Sequence, residues 1–144
     1  MSTTANKAIV RRLFEGLATH NLALIDELFS PDIVIHTGAG SSERCLEEIK
    51  QRSLAMIQFV PDLRFTIEDM LAEGDKVSVR YSFEGTIQPM EQGRATEAER
   101  SLSGTGMAIL RLANGKITES WNEGGTTHRI STYGPTRSRP APEK

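Results

Sequence analysis

An Asn-Gly pair in the C-terminal half is the feature that most constrains how this chain can fold. The pair, Asn114-Gly115, follows the apolar run from Met107 to Leu112 and precedes the segment from Lys116 to Glu123. Asn and Gly tolerate the left-handed backbone angles of a tight hairpin turn, so the pattern predicts two antiparallel strands joined at this point. The second strand ends in a tryptophan, an asparagine and a glutamate. Polar groups at the end of an apolar hairpin often face a pocket, so the functional hypothesis centres on Asn122.

The residues before this hairpin have the periodicity of two further strands. From Asp62 onward apolar and polar residues alternate, first from Leu63 to Ile67 and then from Val77 to Phe83. A period of two is typical of strands with one buried face, and Glu73-Gly74-Asp75 predicts the turn between them. The polar segment from Gly85 to about Arg100 predicts a long hairpin connection or flap.

The N-terminal half has helical patterns instead. A first helix, capped by Thr3 or Thr4, carries apolar residues at helical spacing, at Ile9, Leu13, Phe14 and Leu17. A second, short helix is predicted to follow the cap residue Asn21 and to stop at Ser30-Pro31-Asp32.

A short strand and a third helix complete this half. The β-branched segment from Ile33 to His36 predicts the strand. Ser41 or Ser42 is the predicted cap of a helix that continues to about Phe59, because Pro61 ends it.

This order of elements predicts one α+β domain over residues 1–134. Three N-terminal helices would pack on a strongly curved antiparallel sheet and enclose a cone-shaped pocket. Residues 135–144 are rich in Pro and Arg without an apolar pattern, which predicts a disordered tail.

Composition and charge exclude several classes of protein. The net charge of −2 gives no reason to expect a nucleic-acid partner. No apolar run approaches the roughly 20 residues that span a bilayer, and the N-terminus lacks the apolar core of a signal peptide. The single Cys45 excludes an internal disulfide and fits a reducing compartment. We therefore expect a cytoplasmic protein without a membrane partner.

Neither a metal nor an organic cofactor is predicted. The three histidines, His20, His36 and His128, are scattered, and no paired cysteines accompany them. Gly38-Ala39-Gly40 lacks the third glycine and the strand-to-helix context of a dinucleotide-binding loop.

Several local patterns resemble the SnoaL-like polyketide cyclases of the NTF2-like superfamily, whose fold is a cystatin-like cone. The resemblance covers about Ala5 to Gly134. Its N-terminal patterns are Ile9 to Phe14, Pro31 to His36, Pro61 to Arg64, Ile67 to Val77 and Glu84 to Thr86. Its C-terminal patterns are the hairpin from Gly115 to Trp121 and the ending Ser131 to Gly134.

The resemblance implies a pocket whose usual reactive residues are replaced in this chain. The cyclases carry an Asp acid/base on the last strand, and Asn122 stands at that position here. A histidine on the preceding strand assists in the family, and its counterpart is Ala108. Epoxide-hydrolase relatives use an Arg and an Asp on the strand after the Gly-Asp turn, where Tyr81 and Phe83 are nearest here.

The predicted site therefore combines Asn122 with the histidine of the first strand. His36 is the candidate proton carrier, because imidazole titrates near neutral pH; a structural histidine at the edge of the core is an equal alternative. Asn122 would orient substrate or bind a developing oxyanion, because an amide does not titrate. The predicted substrate-binding residues are Phe14, Met56, Phe59, Tyr81, Phe83, Ala108, Ser120 and Trp121.

The function expected from these residues is cofactor-independent acid/base chemistry on an apolar, oxygenated small molecule such as a polyketide. Cyclisation, isomerisation and dehydration all belong to this class. The alternative is a non-catalytic ligand-binding or subunit-association module on the same fold. We also expect a homodimer packed through the outer face of the sheet, where strict alternation places Ile117 and Trp121.

Overall fold

A computed structural model describes residues 2–38, 40–88 and 101–123 of the chain. The predicted tail at 135–144 and most of the predicted flap, residues 89–100, lie outside the described residues.

Three helices form close to the predicted positions. Helix α1 spans Thr3–Ala18, α2 spans Ala23–Leu28 and α3 spans Leu46–Phe59. The caps differ from the prediction. The hydroxyl of Ser2, rather than of Thr3 or Thr4, accepts a hydrogen bond from the Ala5 backbone N–H at 3.1 Å. Leu22 and Cys45 precede α2 and α3, and neither makes a side-chain capping bond.

Six strands form one sheet. They are β1 (Phe29–Thr37), β2 (Ser41–Glu43), β3 (Arg64–Glu73), β4 (Lys76–Thr86), β5 (Ser101–Ala113) and β6 (Lys116–Glu123). Their order in the sheet is β2-β1-β6-β5-β4-β3. The prediction of a mixed α+β fold is confirmed.

Two parts of the predicted architecture need correction. The sheet is not wholly antiparallel, because β1 and β6 pair in parallel. A parallel pair needs a long crossover between its strands, and α3 with β3, β4 and β5 supplies it. The helices also do not form one N-terminal group, because α3 follows β1 and β2 in the chain.

Strand β1 begins earlier than predicted. Ser30-Pro31-Asp32 lies within β1 rather than acting as a break after α2. The register of β1 against β6 shifts between Phe29 and Val34. Because proline cannot donate to a strand ladder, an irregularity at this point accommodates Pro31.

The two predicted turns are confirmed. Asn114 and Gly115 both have positive φ, 52° and 79°, as a two-residue hairpin turn requires. Gly74 has a φ of 58° and joins β3 to β4. These turns join two antiparallel pairs, β3 with β4 and β5 with β6.

The helices pack against one side of the sheet, which we call the inner face. Its buried residues include Val79 on β4, Ala108 and Leu110 on β5, and Ile35 on β1. Helix α1 contacts β3 and β4, and α2 contacts β1. The opposite side, the outer face, carries Arg80, Met107, Ile109 and Trp121, among others. The two faces follow from the period-two alternation of strands.

A bulge in β6 changes this alternation. Arg111 pairs with Glu119 and Leu112 pairs with Ile117, so Thr118 is an extra residue. Ile117 and Ser120 are consequently both on the inner face, with 0% and 5% of their surfaces exposed. The predicted outer position of Ile117 is wrong, because a bulge reverses the parity of the residues on either side of it.

Candidate functional site

The inner face carries an aromatic cluster, which consists of Phe14, Phe65, Tyr81 and Phe83. The Tyr81 ring lies 5.0 Å from that of Phe14 and 5.9 Å from that of Phe65, measured between centroids. Phe83 lies 6.3 Å from Phe65 and 6.4 Å from Tyr81. Offset and edge contacts at these distances are the favourable ones for aromatic rings. The cluster joins α1, β3 and β4 into one apolar wall.

Two glycines on β5 give the rings of this cluster their positions. Tyr81 pairs with Gly106 and Phe83 pairs with Gly104. A Cβ at Gly106 would collide with the ring and hydroxyl of Tyr81, and a Cβ at Gly104 would collide with the ring of Phe83. The Tyr81 side chain therefore reaches from β4 across β5, with its hydroxyl over Gly106. Glycines within a strand are typical of such close approaches.

A small cavity of about 140 Å³ adjoins the aromatic cluster at Phe65. It lies between the end of α1, one side of α3 and the start of β3. Its lining is Leu17, Arg52, Ser53, Met56, Ile57, Leu63 and Phe65. An apolar cavity of roughly 150 Å³ holds a molecule the size of benzene. The space therefore accepts one ring of an apolar ligand.

Asn122 lies on the inner face of β6. It pairs with Ala108 on one side and with Thr37 on the other, and its backbone carbonyl accepts a hydrogen bond from Gly38 at 3.2 Å. Gly106, which carries the Tyr81 hydroxyl above it, is two residues from Ala108 on the same face. Tyr81 and Asn122 thus supply polar groups at neighbouring positions of an apolar surface.

Burial raises the pKa of the Tyr81 hydroxyl above its ordinary value, because the charged phenolate is poorly solvated there. Tyr81 therefore keeps its proton at neutral pH and acts as a hydrogen-bond donor. Among the residues of β3 to β6 that the structure describes, the inner face carries no Asp or Glu. The amide of Asn122 is a second donor on this face, at a position that pairs with Ala108, two residues along β5 from Gly106.

His36 lies on the outer face, opposite Asn122. Its Nε2 is 2.8 Å from Oε2 of Glu119, and its ring stacks on Trp121 with 5.5 Å between centroids. The guanidinium of Arg111 contacts the same carboxylate at 2.8 Å and lies over the Trp121 ring. The predicted pairing of His36 with Asn122 at one substrate does not agree with this placement, because the sheet lies between them.

The other predicted substrate-binding residues are divided between sites. Phe14, Tyr81 and Phe83 belong to the aromatic cluster. Ala108 and Ser120 are buried on the inner face. Met56 lines the small cavity.

Two predicted contacts lie elsewhere. Phe59 is exposed at the end of α3, where its backbone carbonyl accepts a hydrogen bond from Gln88. Trp121 belongs to the outer face with His36.

Several residues of the inner-face site were not among the site residues predicted from the sequence. Leu17, Arg52, Ser53 and Ile57 line the cavity and were not predicted. Arg52, Ser53, Met56 and Ile57 recur at spacings of one, four and five residues, which places them on one side of α3. Gly104 and Gly106, two residues apart in a strand, were a further signal of closely approaching side chains.

The described residues give no indication of a metal site. No group of three or more His, Cys, Asp or Glu residues among them could hold an ion. Within the same residues, none of the helices has the length and apolarity needed to cross a membrane.

Comparisons with known proteins agree with this fold. AclR from Streptomyces galilaeus, provisionally assigned as a hydroxylase, is 24% identical, with 85% of this chain and 76% of that one covered at a TM-score of 0.73. IdmH from Streptomyces antibioticus, provisionally assigned as a polyketide cyclase, is 26% identical, with 82% and 90% covered at a TM-score of 0.71. An LEH-like epoxide hydrolase from M. tuberculosis is 17% identical, with 83% and 78% covered at a TM-score of 0.68.

No curated protein sequence matches the chain closely. The SnoaL-like domain, as a family, matches residues 10–120. This match includes α1 from Val10, all of the aromatic cluster and β6 as far as Ser120. The chain belongs to the SnoaL-like domain family.

Proposed function

We propose that this protein is an enzyme for cofactor-independent acid/base chemistry on an apolar, oxygenated small molecule such as a polyketide. The observation that carries the proposal is the protonated Tyr81 hydroxyl beside Asn122 on an inner face lined by aromatic rings. The provisional assignment of IdmH as a polyketide cyclase supports the substrate class. Cyclisation, isomerisation and dehydration all fit these groups.

In the proposed reaction a ketone oxygen of the substrate accepts hydrogen bonds from Tyr81 and Asn122. Loss of a proton from the neighbouring carbon to water then leaves an enolate, whose negative charge lies on that oxygen. Two fixed donors stabilise this charge more than they stabilise the neutral ketone. The apolar wall holds the remaining carbons near one another, which favours attack by the enolate carbon on a second carbonyl carbon of the same substrate. The π bond of that carbonyl breaks as the carbon–carbon bond forms, and the resulting alkoxide takes a proton from water.

His36 has no part in this proposal. An acid or base must come within hydrogen-bonding reach of the proton that it transfers, and His36 is held on the outer face by Glu119 and Trp121. We assign hydrogen-bond donation to the substrate oxygen, on the inner face, to Tyr81 instead.

The proposal is tested by proton exchange at carbon in a probe ketone. A one- or two-ring aryl ketone in D₂O exchanges its α-protons slowly, and NMR follows the exchange. We expect the protein to accelerate it and Tyr81→Phe to reduce the acceleration by about 10²-fold, the usual scale for one lost oxyanion donor. Ser82→Ala removes a hydroxyl from the next residue of β4, which faces outward and bonds Glu68. This control should behave as wild type.

A second candidate function is non-catalytic binding of the same class of ligand. It is favoured by one observation, the non-titrating Asn122 at the position where the family's cyclases carry an acid/base. Ligand-detected NMR separates the two functions. A probe that binds without any acceleration of exchange would make the protein a binder and overturn the enzymatic proposal.

We also propose that the protein is a cytoplasmic homodimer that pairs through the outer face. The support is the exposed apolar side chains there, Leu71, Met107 and Ile109, which a monomer would leave in water. Light scattering should give twice the chain mass of 15.9 kDa at micromolar concentration. A monomer mass would contradict the dimer.

A further inference from the structure

The small cavity beside the aromatic cluster has a polar edge. Its apolar lining consists of Leu17, Met56, Ile57, Leu63 and Phe65. The other two lining residues, Arg52 and Ser53, are consecutive residues of α3. Among the described residues that line the cavity, Arg52 is the only charged one. A ligand in this space therefore meets apolar walls on most sides and, at one edge, a cation beside a hydroxyl.

The periodicity of α3 separates these polar residues from two of the apolar ones by one helical turn. Arg52 and Met56 are four residues apart, as are Ser53 and Ile57, so the members of each pair are neighbours on one side of the helix. One turn rises about 5.4 Å along the axis, which is comparable with the length of an aromatic ring. A ring packed against Met56 and Ile57 therefore ends close to Arg52 and Ser53.

A different wall of the cavity leads to the hydrogen-bond donor of the proposed site. Phe65 lines the cavity from β3, and its ring centroid is 5.9 Å from that of Tyr81. Arg52 lines the cavity from α3 instead. A substrate whose ring fills the cavity can thus direct its ketone past Phe65 to Tyr81 and a second substituent to Arg52.

The chemistry of Arg52 indicates what that second substituent is. A guanidinium carries its N–H donors in one plane, where two of them match the two oxygens of a carboxylate in charge-assisted hydrogen bonds. The Arg52 side chain is exposed, so its charge is solvated while the cavity is empty. Arg52 also interacts elsewhere in the chain. Because a guanidinium has five N–H donors, that interaction is compatible with a carboxylate at the cavity.

We infer that this protein selects aryl ketones that carry a carboxylate at the far end of the ring, and that Arg52 binds this carboxylate. The inference rests on the proposed function and names its substrate class, which is aryl keto acids rather than their neutral esters. In the bound state the ring fills the cavity, the ketone oxygen lies at Tyr81 and the carboxylate lies at Arg52. Arg52 determines specificity and is remote from the reacting carbon, so its effect is expected in KM rather than in kcat.

Two probe ketones that differ in charge test this selection. One is para-acetylbenzoate, with its carboxylate opposite the ketone, and the other is its neutral methyl ester. NMR follows exchange of their α-protons in D₂O, and the rate for each probe is compared with its rate without protein. We expect kcat/KM for the acid to exceed that for the ester at least about fivefold, the upper end for an exposed ion pair with bidentate geometry. Because this ratio compares two probes on one protein, any loss of folded protein cancels.

Three variants assign the preference to Arg52. Arg52→Leu removes the charge and should reduce the ratio to below about twofold. Arg52→Lys should recover only part of it, because an ammonium group does not form the bidentate contact. Arg44→Leu is the matched control. It removes the same charge from an exposed residue that precedes α3 and is not among the lining residues, and it should keep the wild-type ratio.

The outcomes separate this inference from the proposed function. Acceleration of both probes without preference for the acid would overturn the inference and leave the proposed enzyme standing. An equal fall of the ratio in Arg52→Leu and Arg44→Leu would also overturn it, because the charge would then act from a distance rather than at the cavity.

Acceleration of neither probe would overturn the proposed enzyme, and ligand-detected NMR would then decide the inference. Weakening of para-acetylbenzoate binding at least about fivefold by Arg52→Leu, but not by Arg44→Leu, would support it. Equal binding by wild type and Arg52→Leu would overturn it.

Discussion

Single residues decide what the inner face can do. The Tyr81 hydroxyl lies over β5 only because Gly106 has no side chain. Asn122 adds an amide on β6, where it pairs with Ala108, two residues from Gly106. Neither group titrates near neutral pH. The chemistry that we propose for these groups is stabilisation of a developing oxyanion together with positioning of apolar carbons.

Adding one methyl group at Gly106 should therefore displace Tyr81. Gly106→Ala places a Cβ against the Tyr81 ring, and overpacking of this kind costs about 1–3 kcal/mol in the free energy of unfolding. Chemical denaturation measures that loss, and the ketone exchange assay should show loss of activity as well. Gly38→Ala is the control, because nothing lies within 4 Å of its added Cβ. Equal stability of the two variants would show that Tyr81 does not lie over Gly106.

Asn122→Asp separates the possible roles of the last strand. If Asn122 donates to the substrate oxygen, the carboxylate cannot replace it, because an ionised carboxylate only accepts hydrogen bonds. We then expect exchange activity to fall by about 10-fold to 10²-fold at pH 7. An increase in activity on a cyclase-type substrate would instead show that the chain retains the acid/base chemistry of its relatives. Unchanged activity would place residue 122 outside the site.

At the scale of elements, the turns and the periodicity of β3, β4 and β5 were predictable because each depends on neighbouring residues. Asn114-Gly115 and Gly74 are local signals of this kind. The bulge at Thr118 was not predictable, because it depends on how β6 pairs with β5. The side of the sheet on which His36 lies was also not predictable. It follows from the parallel pairing of β1 with β6, and no local sequence pattern indicates that pairing. Asn122 could be placed on the inner face from the resemblance, but its partner in the site could not.

The bulge in β6 can be tested by comparing how much stability is lost when side chains on the two faces of the hairpin are shortened. Ile117→Ala removes a fully buried side chain and should cost about 2–5 kcal/mol in the free energy of unfolding. Ile109→Ala is the control, because Ile109 lies on the other strand of the same hairpin and is 43% exposed on the outer face. It should cost less than half as much. Chemical denaturation of the two variants at low protein concentration gives the comparison. The reverse order would show that β6 keeps strict alternation without a bulge.

A second prediction at this scale concerns the junction between α3 and the end of β4. The Asp62 carboxylate accepts a hydrogen bond from the Thr86 backbone N–H at 2.7 Å. That bond lowers the pKa of Asp62 below its ordinary value. A carboxyl whose pKa is lower in the folded state stabilises the fold above its unfolded-state pKa, about 3.9. This stabilisation is lost as the pH falls through the folded-state pKa.

Asp62→Ala should therefore lower the melting temperature by a few degrees at pH 7, and the difference from wild type should shrink as the pH falls below about 4. Asp32→Ala serves as the control, because Asp32 is an exposed residue of β1. A difference that stays constant from pH 7 to pH 3 would show that the Asp62 charge is not involved.

At the scale of the whole molecule, one sheet separates the two functions that we propose. The inner face, closed by α1 and α3, offers an aromatic wall, a cavity of about 140 Å³ and two hydrogen-bond donors. The outer face offers the exposed apolar residues Leu71, Met107 and Ile109, on which the proposed homodimer rests. His36, Glu119 and Trp121 belong to the outer face, so their substitution should affect assembly more than chemistry.

The most direct test of the central claim is the position of a bound ketone in a crystal structure. We predict that the carbonyl oxygen of an aryl ketone lies about 2.6–3.2 Å from the Tyr81 hydroxyl, on the inner face next to Asn122. The ring should contact Phe65 and the cavity beside it. A ketone bound on the outer face against His36 and Trp121, or bound inside with its oxygen away from both Tyr81 and Asn122, would contradict the account.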